Sequence, residues 1–234
     1  MISVIIPTLN EATTLPPLLH ALAAETAEKE VIVVDGGSGD GTRELAREQG
    51  VTMLSSPPGR GTQLCHGAAQ SRGEILFFLH ADCILPPGSL ARIAAALAAD
   101  PGLVGGNFRL VFDGESGFSR WLTGLYARVR RLGFYYGDSG IFVRRAAYEA
   151  IGGMRPIALM EDLDFVRRLE RSGRTCCITE PPLVASSRRF ARRRPHAIVW
   201  GWIKLHALFY LGVSPDRLAR IYATHVPPPE AGKR

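Results

Sequence analysis

Short apolar runs rich in β-branched residues alternate with helical patterns through the first third of the chain. Between the first two runs, Leu15, Leu18 and Leu22 recur at helical spacing, with Asn10 placed to cap the helix. The run over 31–34 is apolar at every position, which predicts a sheet that is buried on both faces. The pattern therefore predicts an α/β fold with a mostly parallel sheet flanked by helices. The predicted strands are 3–6, 31–34, 51–54 and 74–79, and the predicted helices that follow them are 42–49 and 86–99.

The rhythm of the pattern changes after residue 100. Helix 198–211 is apolar nearly all round, which indicates either a buried helix or a contact surface. We expect one domain over 1–185, with halves 1–100 and 101–185, followed by an Arg-rich loop and helices over 186–234. The predicted elements here are strands 103–112 and 140–143, helices 117–132 and 161–171, an extended segment 175–179, and a break at Pro181 and Pro182.

The composition excludes several classes of protein. Hydrophobic residues make up 46% and charged residues 21%, so disorder, collagen and coiled coil are not expected. The formal net charge of +6 hides two opposed halves. Residues 1–117 hold seven Lys and Arg against 13 Asp and Glu, whereas 118–234 hold 21 against nine. The basic residues are almost all Arg, which suits forked binding of phosphate or carboxylate, and the candidates are a nucleic acid or a phosphate-bearing small substrate.

Cysteine spacing and the termini predict the compartment. The four cysteines form no C-x-x-C pair, and adjacent Cys176 and Cys177 cannot readily share a disulfide or a zinc site. No basic segment precedes a long apolar one at the N-terminus, so no export signal is predicted. The apolar stretch 196–213 contains Lys204 and is at or below the length of a spanning helix. We expect a cytoplasmic protein, with the inner face of the membrane as an alternative location.

Chemistry-bearing residues follow three of the predicted strands at the points where those strands end. In open parallel sheets the ligand lies beyond the carboxyl ends of the strands. We therefore expect carboxylates from successive strands to meet at one edge. The residues are Pro7, Thr8 and Glu11 after the first strand, Asp35 and Gly36 after the second, and His80, Ala81 and Asp82 after the fourth.

Two glycine-rich loops are candidates for phosphate binding. The run 35–42 does not satisfy G-x-G-x-x-G, because the sixth position from Gly37 is Thr42, and a tight turn with a capping Thr is the alternative. In the loop after the third strand, Arg60 and Gly61 can bring a guanidinium and backbone N–H groups to a phosphate. A surface turn is the alternative there.

His80 and Asp82 form an H-x-D pattern similar to the D-x-D that holds a divalent metal against a diphosphate. Carboxylate oxygens suit Mg²⁺ or Mn²⁺, which keep water and substrate phosphates as their other ligands. A pair that caps the loop is the competing interpretation.

Glu161 and Asp162 open the helix predicted for 161–171. Transfer to a hydroxyl needs a carboxylate within reach of the proton to be removed, which makes this pair candidate general bases. Acidic residues are also favoured at helix N-termini by the macrodipole alone, so a capping role stays open.

Taken together, these motifs resemble glycosyltransferase family 2, whose members have the GT-A fold. The series is V-I-I-P-T-L-N-E, V-V-D-G-G-S-G-D-G-T, the aspartate of H-A-D, and M-E-D, in that order. A narrower similarity is to the small subfamily of arsenosugar-biosynthesis, radical-SAM-associated glycosyltransferases, and it covers roughly residues 2 to 223. His80 stands where the wider family usually has a first aspartate, while the narrower subfamily shares the histidine.

The resemblance implies roles for residues that match its motifs. Pro7, Thr8 and Glu11 would line the nucleotide, and Asp35 would accept a hydrogen bond from the base or ribose. Asp82 would be the ligand of a Mg²⁺ or Mn²⁺ ion. The remaining implied residues are Gly36, Arg60, Gly61, His80 and Ala81 on the donor side, Asp162 with Glu161 as catalytic carboxylates, and Tyr136, Gly137 and Asp138 on the acceptor side.

The resemblance thus implies an inverting glycosyltransferase of hexosyltransferase type. It would move a sugar from a nucleotide-diphosphate donor, with a UDP-sugar favoured, to an unidentified hydroxyl acceptor. One alternative is a sugar-nucleotide pyrophosphorylase-like nucleotidyltransferase, but 7–11 lacks the glycine- and arginine-rich signature of such enzymes. The other is a non-enzymatic nucleic-acid-binding module, against which the acidic first half argues, so no nucleic acid partner is expected.

Three further features allow two interpretations each. Arg188 and Arg189 belong either to a lid over the diphosphate or to a solvated basic face. The apolar segment 196–213 would pack on its own domain or a second copy in a homodimer, or else on a membrane surface. Four aromatic residues would stack on a sugar or cover an apolar acceptor, or else pack in the core: Trp121, Tyr126, Tyr135 and Tyr136.

Overall fold

The computed structural model describes residues 1–114, 116–186 and 194–225. Eight strands of this part of the chain form one sheet in the order β3-β2-β1-β4-β7-β6-β8-β5. The first four strands pair in parallel, whereas β7 is antiparallel to both of its neighbours. The bounds are β1 Ile2–Thr8, β2 Lys29–Asp35, β3 Thr52–Ser55, β4 Ile75–Phe78, β5 Cys83–Ile84, β6 Leu103–Phe112, β7 Ile141–Arg144 and β8 Arg174–Ala185.

Helices connect the strands and cover both faces of the sheet, as the alternating pattern predicts. A short 3₁₀ turn, Gly137–Ser139, precedes β7. The helices within the described ranges are α1 Leu15–Ala24, α2 Thr42–Glu48, α3 Arg60–Gln70, α4 Ser89–Ala99, α5 Gly117–Arg130, α6 Arg145–Ala150, α7 Glu161–Ser172, α8 Pro195–Tyr210 and α9 Pro215–His225.

The core lies on both faces of the sheet because adjacent strand residues point in opposite directions. On β1, Val4 and Ile6 pack with Leu18 of α1 on one face. Ile5 packs with Leu64 of α3 on the other face, in the cluster that also contains the α7 residues facing the sheet. Each such buried side chain stabilises the fold by roughly 1.5–3 kcal/mol. The prediction of a two-sided α/β sheet is confirmed.

Pro181 and Pro182 do not end the extended segment, so the predicted break of the strand at these prolines is wrong. The strand β8 runs through both prolines to Ala185. Its pairing with β6 nevertheless jumps from Phe108↔Ile178 to Leu110↔Leu183. Proline has no N–H to donate to a ladder, and the irregularity accommodates this without ending the strand.

The two C-terminal helices pack against α7 and α5. Leu205 of α8 and Leu218 of α9 are buried with Met160 and Leu163 at the start of α7. Ile198 joins a separate buried cluster with Leu122 of α5 and the end of β6. No helix in the described part of the chain is both long and apolar enough to cross a membrane.

Candidate active site

The ends of three parallel strands and the start of β7 meet at one edge of the sheet. Thr8 at the end of β1 pairs with Asp35 at the end of β2, and Phe78 at the end of β4 pairs with Ile141 at the start of β7. Because β7 is antiparallel, the turn Gly137–Ser139 before it lies beside the loop that follows β4. The candidate donor-side and acceptor-side segments therefore share this edge.

The loops after β1 and β2 are joined by hydrogen bonds. Asn10 does not cap α1, whose N-cap is Thr14. It adopts a left-handed φ of 58°, and its N–H donates to Ser38 Oγ at 2.8 Å. The N–H of Gly39 donates back to Asn10 Oδ1 at 3.0 Å. The Asn10 side chain is thus taken up by the neighbouring loop, which explains why it cannot cap the helix.

Asp35 organises the loop that follows β2. Its carboxylate accepts the N–H groups of Gly37 and Ser38, each at 2.9 Å, and the Ser38 hydroxyl. Gly36 in turn donates its N–H to the carbonyl of Thr8 at 2.9 Å. These bonds favour the tight-turn interpretation of 35–42, and they fix the buried carboxylate at the end of the strand.

A second carboxylate, Asp40, completes the turn. It accepts N–H groups from Ala12 at 3.0 Å and from Thr42 at 3.1 Å. Burial would raise the pKa of Asp40, but the Thr42 hydroxyl and these N–H groups together hold it below its ordinary value. Glu11 donates its N–H to the same Thr42 hydroxyl at 2.9 Å, which adds a further bond between the β1 and β2 loops.

Gln63 ties the ends of β1 and β2 together and was not among the predicted site residues. Its amide Nε2 donates to the carbonyls of Thr8 at 2.8 Å and Val34 at 2.7 Å, and the residue is buried. A buried glutamine at an inward position of α3 is the only sequence signal for this role, since periodicity does not say which carbonyls it meets.

Arg60 and the two acids of α7 form a charged cluster. The Arg60 Nε donates to Glu161 Oε1, and its Nη2 lies 3.9 Å from Asp162 Oδ2. The close approach depends on Gly61, because a Cβ there would lie 2.9 Å from the carbonyl oxygens of Arg155 and Ile157. The first turn of α3 therefore rests directly on the loop that leads into α7.

The three charges of this cluster influence one another's pKa. Burial would raise the pKa of Asp162, but the charge of Arg60 and the N–H groups of Gly137 and Leu163 lower it below the ordinary value. For Glu161 burial prevails, and the neighbouring Asp162 adds to it, so that its pKa is raised despite Arg60. The carboxylates also raise the pKa of Arg60 against the effect of its own burial. Arg60 is therefore the counter-charge that favours the ionised form of Asp162.

Exposure separates the roles that these three side chains can take. The side chain of Glu161 is 2% exposed, that of Asp162 12% and that of Arg60 38%. Glu161 is thus covered by the arginine that it binds. Arg60 keeps a free edge and Asp162 keeps a small exposed surface, so both can touch a substrate.

Asp162 is also held by the backbone. Its Oδ2 accepts the N–H of Gly137 at 3.0 Å, and its Oδ1 accepts the N–H of Leu163 at 2.8 Å. A Cβ on Gly137 would lie 2.7 Å from His80 Nε2, so only glycine allows the turn this close to the histidine. His80, Gly137 and Asp162 are therefore brought together, although 82 positions separate the first from the last.

Met160 adopts an uncommon backbone conformation just before this pair of acids. Its φ is 67°, in the left-handed region that disfavours residues with a side chain, and it is the N-cap of α7. Its side chain is buried with Leu163, Leu205 and Leu218. Such a strained backbone conformation costs about 1–3 kcal/mol. The packing of the Met160 side chain offsets this cost and fixes where α7 begins.

Asp82 provides a single candidate metal ligand. It is half-buried in the loop between β4 and β5, flanked by buried Ala81 and Cys83. Among the described residues, no three His, Cys, Asp or Glu side chains are grouped so that they could hold a metal ion. Mg²⁺ is commonly bound through one or two carboxylates plus substrate phosphates. The donor set therefore fits a metal that binds together with a diphosphate, and it does not fit a permanent metal centre.

A cavity of about 740 Å³ opens from the charged cluster. Its polar end is formed by Arg60, His80, Asp138, Glu161 and Asp162. Side chains of helices α5, α8 and α9 form an apolar wall. They are Trp121, Leu125, Val129, Val199, Trp202, Ile203, Ala219 and Tyr222.

Tyrosines connect the apolar wall to the polar end. The Tyr126 hydroxyl donates to Asp138 Oδ2 at 3.4 Å. Tyr136 Oη lies 3.0 Å from His206 Nε2, while His206 Nδ1 lies 2.7 Å from the Trp202 carbonyl. Since that carbonyl can only accept, Nδ1 of His206 donates to it, and Nε2 is left to bond with the Tyr136 hydroxyl. His206 is a cavity residue that the sequence analysis did not identify.

The candidate residues thus separate into two groups. Arg60, His80, Asp138, Glu161 and Asp162 surround one end of the cavity. Of the four candidate aromatics, Tyr135 is buried under the Arg130 guanidinium and belongs to the core, and the other three, Trp121, Tyr126 and Tyr136, line the cavity. Arg188 and Arg189 lie outside the described residues. The candidates at the strand ends that do not line the cavity are Pro7, Thr8, Glu11, Asp35, Gly36, Ala81 and Asp82, and Gly61 of α3 and Gly137 of the 3₁₀ turn do not line it either.

The fold and this edge define the chain as a GT-A glycosyltransferase. The chain belongs to glycosyl transferase family 2, whose model matches residues 3–152, well over half of its length. The family membership decides in favour of the transferase over the nucleotidyltransferase and the nucleic-acid module.

Curated relatives are similar over about half of this chain or somewhat more. The glycosyltransferase AglE of Haloferax volcanii is 36% identical over 122 residues, which are 47% of this chain and 40% of that protein. The undecaprenyl-phosphate 4-deoxy-4-formamido-L-arabinose transferase of Pseudomonas fluorescens is 32% identical over 159 residues, 61% of this chain and 46% of that one. The alignments thus span less than half the length of these relatives.

Solved structures share the fold over nearly the whole chain. TarS of S. aureus has a TM-score of 0.65 at 18% identity, covering 96% of this chain and 42% of that one. The mannosyltransferase PcManGT from Pyrobaculum calidifontis, solved with GDP-Man and Mn²⁺, has a TM-score of 0.63 at 21% identity and covers 96% and 73%. Glucosyl-3-phosphoglycerate synthase from Mycobacterium tuberculosis, solved with Mn²⁺ and UDP-glucose, has a TM-score of 0.59 at 19% identity and covers 99% and 81%.

Proposed function

We propose that this enzyme is an inverting glycosyltransferase in which Asp162 is the general base. The observation that carries the proposal is the position of the Asp162 carboxylate. Arg60 lowers its pKa against the effect of burial, two backbone N–H groups hold it, and it lines the cavity beside Arg60. Removal of a hydroxyl proton requires a charged proton acceptor that is held in place at the substrate cavity.

The donor is proposed to be a nucleotide-diphosphate sugar, with a UDP-sugar favoured, bound along the β1, β2 and β4 ends. Neighbours with this fold were solved with UDP-glucose, UDP-GlcNAc and GDP-Man, which supports the class of donor. Pro7, Thr8 and Glu11 would contact the nucleotide beside the Asp35 turn. The loop His80, Ala81 and Asp82 would face its diphosphate.

One in-line displacement accounts for the reaction. Asp162 takes the proton of the acceptor hydroxyl, the acceptor oxygen bonds to the anomeric carbon, and the bond from that carbon to the diphosphate oxygen breaks. The configuration at this carbon is inverted because attack and departure are on opposite faces. The free edge of Arg60 stabilises charge on the departing diphosphate, and Glu161 positions Arg60. Asp82 would hold Mg²⁺ or Mn²⁺, which supplies further positive charge when bound.

The finer assignments are part of the same proposal. The radical-SAM-associated subfamily rests on the motif similarity, above all on the histidine of the H-A-D segment. Arg188 and Arg189 are proposed as diphosphate contacts from the basic character of their segment, and Tyr136, Gly137 and Asp138 as acceptor-side residues from their place at the cavity. A location at the cytoplasmic face of a membrane and a homodimer contact through 196–213 rest on sequence alone.

A donor screen tests this proposal. UDP-, GDP- and dTDP-sugars are compared for their effect on the melting temperature, with and without Mn²⁺, and the stabilising donor is then followed for release of its nucleoside diphosphate. We expect one base to stabilise the protein, since a ligand that binds only the native state raises its stability. Stabilisation by none of the donors, with or without metal, would reject the proposal.

A further inference from the structure

The 740 Å³ cavity has apolar walls beside the charged cluster. On α5, Trp121, Leu125 and Val129 are spaced four residues apart and so share one face of the helix. The volume is within the range of about 300–1,000 Å³ that small-molecule sites occupy, and such sites are mostly apolar with a few convergent polar groups. The wall is therefore suited to an apolar body.

The polar end of the cavity is acidic. Asp138, Glu161 and Asp162 are buried there, and among the cavity-lining residues that the structure describes Arg60 supplies the one guanidinium. The negative field is visible at Tyr136, whose pKa is raised first by burial and then by the charges of Asp162 and Asp138. An acceptor that carries a phosphate at its reacting end would bring a negative charge next to these carboxylates, which disfavours it. The charges favour a neutral hydroxyl.

The apolar surface continues from the cavity onto the outside of α8. Ile203 lines the cavity and is 51% exposed, and Trp200, one turn earlier, is 68% exposed. Tyr210 and Leu211 extend the same exposed face at 56% and 79%. Exposed apolar patches of this kind mark interaction sites. An apolar ligand chain that leaves the cavity at Ile203 would remain in contact with apolar side chains of α8. A membrane that held the rest of the ligand would contact the same side chains.

We propose, on the basis of the transferase activity proposed above, that the acceptor is an uncharged lipid alcohol. Its apolar chain occupies the cavity between α5, α8 and α9, and its hydroxyl reaches Asp162. The hydroxyl proton passes to Asp162, the lipid oxygen bonds to the anomeric carbon, and the nucleoside diphosphate leaves with the electron pair of the broken bond. The products are a glycosylated lipid and a nucleoside diphosphate, so no oxidant or further reactant is needed.

Tryptophan fluorescence measures occupancy of the cavity without a donor. Two of the three tryptophans, Trp121 and Trp202, line it. We expect 1-decanol to change the emission with saturation, and decyl phosphate to bind at least about tenfold more weakly, a difference of about 1.4 kcal/mol. Asp138→Asn should narrow this difference, because it removes one of the opposing charges. Equal or tighter binding of the phosphate would overturn the neutral acceptor, and no response to either probe would overturn the apolar site.

Two alanines of α9 provide a matched pair of variants. Ala219 lines the cavity, whereas Ala223 is exposed on the same helix. We expect Ala219→Trp to abolish the decanol response and Ala223→Trp to retain it, while both keep the far-ultraviolet circular dichroism of the parent. Loss of the response in both variants, or in neither, would place the decanol site elsewhere and overturn the proposal.

The lipid source is tested with phosphatidylcholine vesicles that contain diacylglycerol, ceramide or polyprenol, against plain vesicles. We expect one of these alcohols to increase the fraction of protein that sediments and to be glycosylated with the donor found in the screen. Binding of decanol with no response to any of the lipid alcohols would overturn the lipid source in favour of an alcohol free in solution. A protein that binds a nucleotide sugar but no alcohol loses only this inference, whereas one that binds no nucleotide sugar loses the proposed function itself.

Discussion

Arg60, the first residue of α3, binds Glu161, the first residue of α7, although 101 positions separate them. A cation at a helix N-terminus is unfavourable towards the macrodipole of that helix. The carboxylates at the start of α7 offset this, and the same acids are favourable at their own helix N-terminus. The pair thus joins two helix starts and places Asp162 next to a fixed positive charge.

The first prediction follows from the charge of Arg60 and concerns the pH dependence of activity. The lowered pKa of Asp162 keeps the base ionised until the pH falls below the ordinary aspartate value of 3.8. In Arg60→Met the main lowering influence is lost while burial remains, so the pKa of Asp162 rises. The acid limb of the profile of kcat/KM against pH should therefore move to higher pH, whatever happens to the height of the profile. Arg47→Met, at an exposed arginine, is the control. A limb that stays in place in Arg60→Met contradicts the pairing.

The second prediction concerns the base itself. Asp162→Asn keeps the size of the side chain but cannot take a proton, so kcat should fall by about 10²- to 10⁴-fold. Donor stabilisation in the melting assay should remain near that of the parent, because the nucleotide is proposed to lie along the ends of β1, β2 and β4. Glu149→Gln, at an exposed carboxylate of α6, should leave both measurements unchanged. Near-normal turnover of Asp162→Asn would exclude it as the base.

The sequence predicts those site residues that lie at the ends of strands. Asp35 is the last residue of β2, and the H-A-D segment follows β4, so the rule for parallel sheets suffices to bring them to one edge. The two-sided core follows likewise from apolar runs. These predictions depend on periodicity and strand order, which are local properties of the chain.

The remainder depends on which distant segments meet. Nothing in the spacing indicates that Gln63 donates to two strand-end carbonyls, or that His206 on α8 forms a hydrogen bond with the Tyr136 hydroxyl. Asn10 is a residue type that commonly caps helices, yet its side chain bonds to the neighbouring loop and not to the helix. Such contacts arise from the packing of whole elements, which a single sequence does not show.

The third prediction follows from Gln63. Gln63→Met keeps an unbranched side chain of similar length but removes the two N–H donors, leaving the Thr8 and Val34 carbonyls with fewer partners inside the fold. Since each lost buried hydrogen bond costs about 1–3 kcal/mol, the free energy of unfolding in urea should fall by that order. The KM for the donor should rise because the β1 and β2 ends separate. Gln70→Met, at an exposed position of the same helix, should change neither, and an equal effect of the two variants would contradict this role.

The fourth prediction concerns the contact of α3 with the loop before α7. Gly61→Ala puts a methyl group 2.9 Å from two carbonyl oxygens, so the start of α3 must shift away. Overpacking of this kind costs about 1–3 kcal/mol, and the shift should also loosen Arg60 from Glu161 and lower kcat. Gly39→Ala is the control, because no atom lies within 4 Å of a Cβ there. Unchanged melting temperature and turnover in Gly61→Ala would show that the contact is not needed.

The last prediction tests Asp82 as the metal ligand. One carboxylate binds Mg²⁺ or Mn²⁺ weakly without the diphosphate oxygens of the substrate. Mn²⁺ alone should therefore leave the melting temperature of the parent nearly unchanged, while Mn²⁺ added to the nucleoside diphosphate should stabilise it further than the nucleotide does alone. Asp82→Asn should keep the stabilisation by the nucleotide and lose the increment from Mn²⁺. Asp113→Asn, at an exposed aspartate, should retain both. An increment that survives in Asp82→Asn would mean that the metal is held by other residues, and His80→Ala would then be the next variant to compare.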